Sequence, residues 1–188
     1  HINSDARKFA KLAILNSNQS IDNRVNQTDR YKHAFKDLAS HVGMTSSNFS
    51  IEGYDISHHA GKYAVASLVK FSNQGPIKSS YKIFNMPEQF SGNDIGSITN
   101  VLERRSARAI LEPLPDIILV DGGQLQLDAA IQVLDNASQE PPLILSIVKG
   151  SNRVRATETI LSKNGILEMP KQSVAFTLLQ QVRDEAHR

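Results

Sequence analysis

Two aspartates in this sequence lie where carboxylates can do chemistry, Asp55 inside one predicted strand and Asp121 at the end of another. Asp55 has apolar neighbours, and an ionised carboxylate in such surroundings is costly unless it is paired or binds a metal ion. Asp121 precedes Gly122-Gly123, at the strand end where open α/β sheets place their sites. If the two strands are neighbours, both carboxylates lie at one end of the sheet, where two oxygen donors suit Mg²⁺ or Mn²⁺.

Each aspartate also has a simpler interpretation, since a lone Asp beside a turn commonly serves as a turn residue or a helix cap. One carboxylate inside a strand together with another at the end of a second strand favours a site. A third candidate, His187, lies on the last predicted helix, at the edge of its buried stripe. Its side chain can reach a site from there, although a solvated histidine is also favoured near a helix C-terminus.

The elements that must position these side chains follow from the spacing of apolar residues. Residues 51–57, 63–71 and 77–85 are predicted as three strands, and their short connections imply antiparallel pairing. The later elements are a helix over about 94–109, a strand over 117–120, a helix with Leu127, Ala130, Ile131 and Leu134 on one face, a strand over 143–148, a hairpin around Asn164-Gly165 and a helix over 171–188. Strand, helix and strand in succession form a parallel crossover unit. The predicted fold class is therefore α/β, with a mixed sheet and flanking helices.

The first fifty residues differ from the rest in being polar and basic. Residues 4–15 and 30–42 are predicted as two helices, joined by a polar loop over 16–26. We interpret residues 1–50 as a helical lead-in and residues 51–188 as one compact domain.

Composition excludes several functional classes. The chain has 188 residues, of which 40% are apolar and 21% charged, the balance of an ordinary globular domain. It has no cysteine, which excludes disulfides, zinc–thiolate sites and thiol catalysis. It has no apolar run near the ~20 residues of a membrane span and no secretory signal, so we expect a cytoplasmic protein away from membranes. The net charge of +2 does not by itself require nucleic-acid binding.

Five short motifs occur in order and with compatible spacing. They are Tyr54-Asp55-Ile56-Ser57-His58, Gly92-Asn93-Asp94, Leu119-Val120-Asp121-Gly122-Gly123-Gln124-x-Gln126-Leu127, Lys149-Gly150 and Arg183-Asp184-Glu185-Ala186-His187-Arg188. With them the chain resembles, from about residue 51 to 188, the C-terminal nuclease half of UvrC, the incision subunit of bacterial nucleotide excision repair. The order of predicted elements is also that of the ribonuclease H-like fold, in which three antiparallel strands precede the parallel ones.

The resemblance implies a ribonuclease H-like endonuclease that uses Mg²⁺ or Mn²⁺ bound by a triad of Asp55, Asp121 and His187. It also implies that Asp94 is a further acidic position near the site, although an Asp that opens a helix is an ordinary cap. The sequence departs from the family pattern at Asn93, which removes a charge beside Asp94, and before Glu158, where the usual glycine is missing.

The resemblance further implies a substrate and a partner. The substrate is damaged double-stranded DNA, cut 5′ to the lesion, and the partner is a damage-loading protein of the UvrB type. The helix-hairpin-helix repeats and the second nuclease half of the family protein are not found in this sequence. We therefore expect a piece of a longer protein, monomeric in isolation.

Basic residues near the predicted site are candidates for contacts with DNA phosphates. They are Arg104 and Arg105 on one helix, Lys149 at a strand end, and Arg153 and Arg155 just beyond it. The simpler interpretation of such clusters is a solvated face. Aromatic residues make up only 6% of the chain and tryptophan is absent, so a base-stacking platform is poorly supported.

Other functional classes remain to be compared with the nuclease. Gly122-Gly123 precedes a helix but has neither the GxGxxG nor the Walker pattern, which excludes ATP and NAD sites of those types. His58 and His59 follow the Asp55 strand and are candidates for a metal cluster, although a turn after a strand commonly exposes such residues. A docking module on the same scaffold that does not cut DNA, or a different ribonuclease H-like nuclease, are the alternatives.

Overall fold

The computed structural model describes residues 2–59, 63–149 and 158–188 as a mixed α/β fold. The helices are α1 (Ile2–Val42), α2 (Asp94–Ser106), α3 (Gln124–Ala137) and α4 (Val174–His187). The strands are β1 (Ser50–His59), β2 (Tyr63–Ser72), β3 (Gly75–Pro76), β4 (Lys82–Asn85), β5 (Ile117–Asp121), β6 (Leu143–Lys149), β7 (Glu158–Ser162) and β8 (Gly165–Ile166). Within these ranges no helix has both the length and the apolar character needed to cross a membrane.

The strands form one mixed sheet in the order β3-β2-β1-β5-β6-β7-β8, and β4 also pairs with β2. β1 and β2 are antiparallel over their whole length, whereas β5 is parallel to β1 and β6 is parallel to β5. β7 and β8 continue the sheet as an antiparallel hairpin. The predicted fold class, α/β with a mixed sheet of antiparallel strands followed by parallel ones and with flanking helices, is confirmed.

Each face of the sheet has its own apolar core, because side chains alternate along each strand. One core lies between the sheet and α1 and α4, and includes Ile51, Leu119 and Val182. The other lies between the sheet and α2 and α3, and includes Tyr54 and Val120. The central strands β1 and β5 are therefore covered on both sides, which agrees with the nearly continuous apolar run of β5.

Gly53 is the point at which α4 comes closest to the sheet. A Cβ at this position would lie 2.5 Å from Cγ1 of Val182 and 3.1 Å from Cγ2 of Val69. Only a residue without a side chain leaves room for Val182 against the backbone of β1. Because His187 follows Val182 by five residues on the same helix, this close approach also determines how near His187 comes to the end of β1.

The first fifty residues differ from the prediction. Residues 2–42 form one continuous helix rather than two helices and a loop. The end of α1 belongs to the core, where Phe35 and Leu38 are fully buried, so the interpretation of residues 1–50 as a lead-in outside the core is wrong for this part. Asp37 also accepts a hydrogen bond of 3.0 Å from the backbone N–H of Ala175, in the first turn of α4.

The third predicted strand also differs, since residues 77–85 do not form one strand. β3 is a two-residue pairing, a 3₁₀ turn at Lys78–Ser80 follows it, and β4 begins at Lys82. The N–H of Ile77 still donates a hydrogen bond of 2.7 Å to the carbonyl oxygen of Lys70 in β2, and the 3₁₀ turn begins directly after it.

We expect Gly53→Ala to destabilise the fold by about 1–3 kcal/mol, the usual cost of forcing a methyl group into a close contact. Val182→Ala shortens the side chain that the new methyl group meets, so the double variant should lose less stability than the sum of the two single variants. Urea unfolding of all four proteins measures this coupling. Additive losses would show that the contact between β1 and α4 is not limiting.

Candidate active site

The pairing of β1 with β5 brings Asp55 and Asp121 to the same end and the same face of the sheet. The two strands are parallel, and Tyr54 lies opposite Val120. The next residue of each strand is an aspartate, so both carboxylates lie at the carboxyl ends of β1 and β5. Alternation along the strands places both on the face that α4 covers.

His187, the last residue of α4, completes a group of three metal-ligating side chains. Its Nδ1 lies 3.4 Å from Oδ2 of Asp55. One ligand atom from each of Asp55, Asp121 and His187 lies within 4.8 Å of the other two, the one such group found among the described residues. The structure therefore brings together the three residues of the predicted triad.

The burial of the three side chains gives the group an inner and an outer side. Asp55 is buried at 5% exposure, Asp121 is half-buried, and the His187 side chain is 66% exposed. Two carboxylate oxygens and one imidazole nitrogen are a donor set that fits Mg²⁺ or Mn²⁺. A divalent ion held here would be open to a ligand from the His187 side.

Ser57 is a residue of this site that the sequence reasoning missed. Its hydroxyl donates a hydrogen bond of 2.5 Å to Oδ2 of Asp55. Ser57 shares the face of Asp55 because it lies two residues further along the same strand. That spacing is the signal by which it could have been found. The bond fixes the orientation of a carboxylate that would otherwise rotate.

The turn after Asp121 is held by two side chains. Ser146 of β6 donates a short hydrogen bond to the carbonyl oxygen of Gly122. The N–H of Gly123 donates to Oε1 of Gln126, 3.0 Å away, at the start of α3. These bonds restrain the backbone directly after Asp121 from both β6 and α3.

Asp94 lies outside the group of three. Asp94 is the first residue of α2, and its Oδ1 lies 2.5 Å from Nε2 of His58. His58 alternates with Asp55 along β1, so this pair lies on the opposite face of the sheet, at the same end. The helix cap is Asn93, whose Oδ1 accepts a hydrogen bond of 2.8 Å from the N–H of Gly96, and the prediction of Asp94 as a cap is wrong.

Arg105 corrects the prediction of a basic DNA-binding cluster, because it lies inside the fold at 1% exposure. Its Nε lies 3.0 Å from Oε2 of Glu52 and its NH2 lies 2.9 Å from Oε1. It also donates to the carbonyl oxygens of Glu112 and Pro113, at 2.8 and 2.7 Å. Burial lowers the pKa of Arg105, but the hydrogen bond and charge of Glu52 outweigh this, so the net pKa is raised. Buried and with four of its five N–H donors bonded inside the fold, Arg105 is not available to a DNA phosphate.

The other predicted DNA contacts have different outcomes. Arg104 is exposed, with its guanidinium 5.1 Å above the ring of Phe84, and stays a candidate. Lys149 is the last residue of β6, but its side chain lies outside what the structure describes. Arg153 and Arg155 lie outside the described residues altogether.

The strand order and the carboxylates at the ends of two adjacent central strands are those of a ribonuclease H-like nuclease. A family model described as "UvrC RNAse H endonuclease domain" matches residues 39–188, and the chain belongs to this family. The resemblance that the motifs indicated is thereby confirmed, and the chain is an endonuclease domain.

Individual relatives agree with the family assignment. The chain is 36% identical over 185 residues to UvrABC system protein C of Pseudomonas savastanoi pv. phaseolicola, covering 96% of this chain and 30% of that protein. It is 33% identical over 192 residues to UvrABC system protein C of Hahella chejuensis, covering 100% of this chain and 31% of the relative. The chain thus spans about 30% of the length of these relatives.

Among solved structures, the catalytic domain of human endonuclease V is similar at a TM-score of 0.42 and 16% identity, covering 79% of this chain and 74% of that one.

The adjacent residues Arg104 and Arg105 provide a matched pair for a stability measurement. Arg105→Ala leaves the buried Glu52 carboxylate without its main partner, and we expect a loss of about 3–5 kcal/mol. Arg104→Ala removes an exposed cation over a ring and should cost less than about 1 kcal/mol. Chemical denaturation of both variants tests this. Equal losses would mean that the buried ion pair contributes no more than the surface contact.

Proposed function

We propose that this chain is a metal-dependent DNA endonuclease that hydrolyses a phosphodiester bond 5′ to a lesion in nucleotide excision repair. The observation that carries the proposal is the convergence of ligand atoms from Asp55, Asp121 and His187 within 4.8 Å, on three separate elements. A docking module has no need of two carboxylates and an imidazole directed at one point, where the repulsion between the two carboxylates costs stability.

The residues of the triad have distinct roles in this proposal. Asp55 and Asp121 bind Mg²⁺ or Mn²⁺, and Ser57 holds Asp55 in the orientation that binding requires. The bound ion supplies the Lewis acidity that activates water and neutralises charge on the phosphate. His187 completes the ligand set or transfers a proton, for which its exposed imidazole is suited.

The wider setting of the reaction is also part of the proposal. The matched relatives are named UvrABC system protein C, and the chain spans about 30% of their length. We infer that the domain works in the bacterial cytoplasm on damaged double-stranded DNA, loaded by a UvrB-type partner. Arg104, Lys149, Arg153 and Arg155 contact DNA phosphates, and Asp94 is the further acidic position, held by His58.

Nicking of supercoiled plasmid in Mn²⁺ by this chain tests the triad. We expect Asp55→Asn and Asp121→Asn to abolish nicking, because each keeps the shape of the side chain and removes the charge that binds the ion. Asp121→Asn should also be at least as stable as the wild type, since it removes repulsion between neighbouring carboxylates. Asp135→Asn, on an exposed residue at the far end of α3, is the matched control and should nick normally.

Two results would contradict this assignment. A folded Asp121→Asn variant that nicks as fast as the wild type would exclude Asp121 from the metal site. A wild-type chain that binds DNA, but neither nicks it nor binds Mn²⁺ calorimetrically, would favour the docking module instead.

Arg104→Ala separates phosphate contacts from metal binding. We expect weaker DNA binding at low salt and a salt dependence of log K that is less steep by about 1, with Mn²⁺ affinity unchanged. Lys163→Ala removes an exposed cation from the β7–β8 turn, at the opposite edge of the sheet, and should leave the slope unchanged. Filter binding across a salt series measures both variants. Identical slopes in all three proteins would remove Arg104 from the interface.

A further inference from the structure

His187 is the last residue of α4 and its side chain is mostly exposed, so the rotation of α4 decides whether the imidazole is directed at Asp55. The apolar contacts of α4 fix its distance from the sheet, most closely at Gly53. The buried apolar stripe of α4 turns one face of the helix to the sheet, and directional hydrogen bonds on its flank restrain that rotation further. The polar contacts of α4 are therefore the place to look for this restraint.

Glu158 makes such contacts with two residues of α4. One carboxylate oxygen accepts a short ion-paired hydrogen bond from NH1 of Arg183, and the other accepts one of 2.7 Å from Nε2 of Gln180. Arg183 also donates to Oδ1 of Asp184 from Nε and NH2, at 2.9 and 2.5 Å. The Arg183 and Glu158 side chains are both only 11% exposed, so the pair lies largely away from water.

The two partners of Glu158 lie on the same flank of α4 as His187. At 3.6 residues per turn, positions 180, 183 and 187 fall within about 60° of one another around the helix axis. A carboxylate that accepts hydrogen bonds from two successive turns of this flank opposes both rotation and sliding of α4. It therefore restrains the direction in which His187 projects.

Glu158 is itself part of the sheet, at the end of the sheet where Asp55 and Asp121 lie. It is the first residue of β7 and pairs with Lys149, the last residue of β6. Its carbonyl oxygen accepts a hydrogen bond of 2.9 Å from Nζ of Lys171. β6 in turn pairs with β5, in which Asp121 lies opposite Ile147. The pairing of β7 with β6 and of β6 with β5 thus connects Glu158 to the strand that carries Asp121.

We propose that Glu158 is a positioning residue, whose carboxylate sets the rotation of α4 and so holds His187 at the metal site. This proposal rests on the proposed function, since it assigns His187 a place in metal binding. Glu158 touches neither substrate nor ion, and it acts only through Arg183 and Gln180. The Arg183–Glu158 pair is therefore more than a stabilising contact between a helix and a strand.

Calorimetric titration of the 188-residue chain with Mn²⁺ tests the proposal. We expect Glu158→Ala to weaken Mn²⁺ binding about 10–100-fold, the usual effect of removing a group that orients a ligand. Glu158→Gln keeps one acceptor for the helix and should weaken binding less, which also serves if Glu158→Ala does not fold. Glu168→Ala removes an exposed carboxylate from the neighbouring segment and should bind Mn²⁺ as the wild type does.

The double variant with His187→Ala separates positioning from a general loss of structure. If Glu158 acts through His187, then Glu158→Ala has no further effect on the Mn²⁺ Kd once His187 is removed. An unchanged Kd in the folded single variants, or an equal loss with and without His187, overturns the proposal. Mn²⁺ binding that does not depend on Asp55 or Asp121 would instead overturn the metal site, and the proposed function with it.

Discussion

The parallel pairing of β1 with β5 is the constraint on which the site depends. Ile51 to Tyr54 lie opposite Ile117 to Val120, so that the next residue of each strand is an aspartate on the same face. A slip of one residue would send one carboxylate to the other face of the sheet. The register is held by burial, because Ile51 and Leu119 belong to one core while Tyr54 and Val120 belong to the other. The packing of the two cores therefore determines the geometry of the chemistry.

The fold treats its buried charges in two different ways. Glu52 and Arg105 form a buried ion pair on the side of the sheet that α2 covers, and Tyr54 donates a further hydrogen bond of 2.8 Å to Glu52. Burial and the nearby charge of Glu52 raise the pKa of Tyr54 well above its usual value, so it stays a neutral donor. Asp55 and Asp121 instead face each other beside an exposed imidazole. Removing one partner of a buried ion pair would leave an uncompensated charge, whereas two carboxylates this close repel each other, and a bound cation would offset that repulsion.

The position of α4 results from contacts with several distant parts of the chain. In its first turn, α4 donates a backbone hydrogen bond to Asp37 of α1. Near the middle of α4, Val182 packs against Gly53, and near its end Arg183 pairs with Glu158. Residues that never approach the reacting atoms thus determine where His187 lies. The end of α1 takes part in this arrangement, and the family match begins at residue 39, within that helix.

The sequence alone determined most of the order of strands and helices after residue 50, since apolar periodicity reports which faces are buried, and its motifs indicated the family and the triad. The helical spacing of Ile98, Leu102 and Arg105 does place Arg105 on the buried face of α2, but only the fold shows that its partner is Glu52, 53 residues away along the chain. Local patterns also missed Ser57, and they missed Glu158, whose partner Arg183 lies 25 residues away along the chain. The same holds for α1, whose burial against α4 depends on contacts across the whole domain. These features depend on long-range packing and are decided only when the chain has folded.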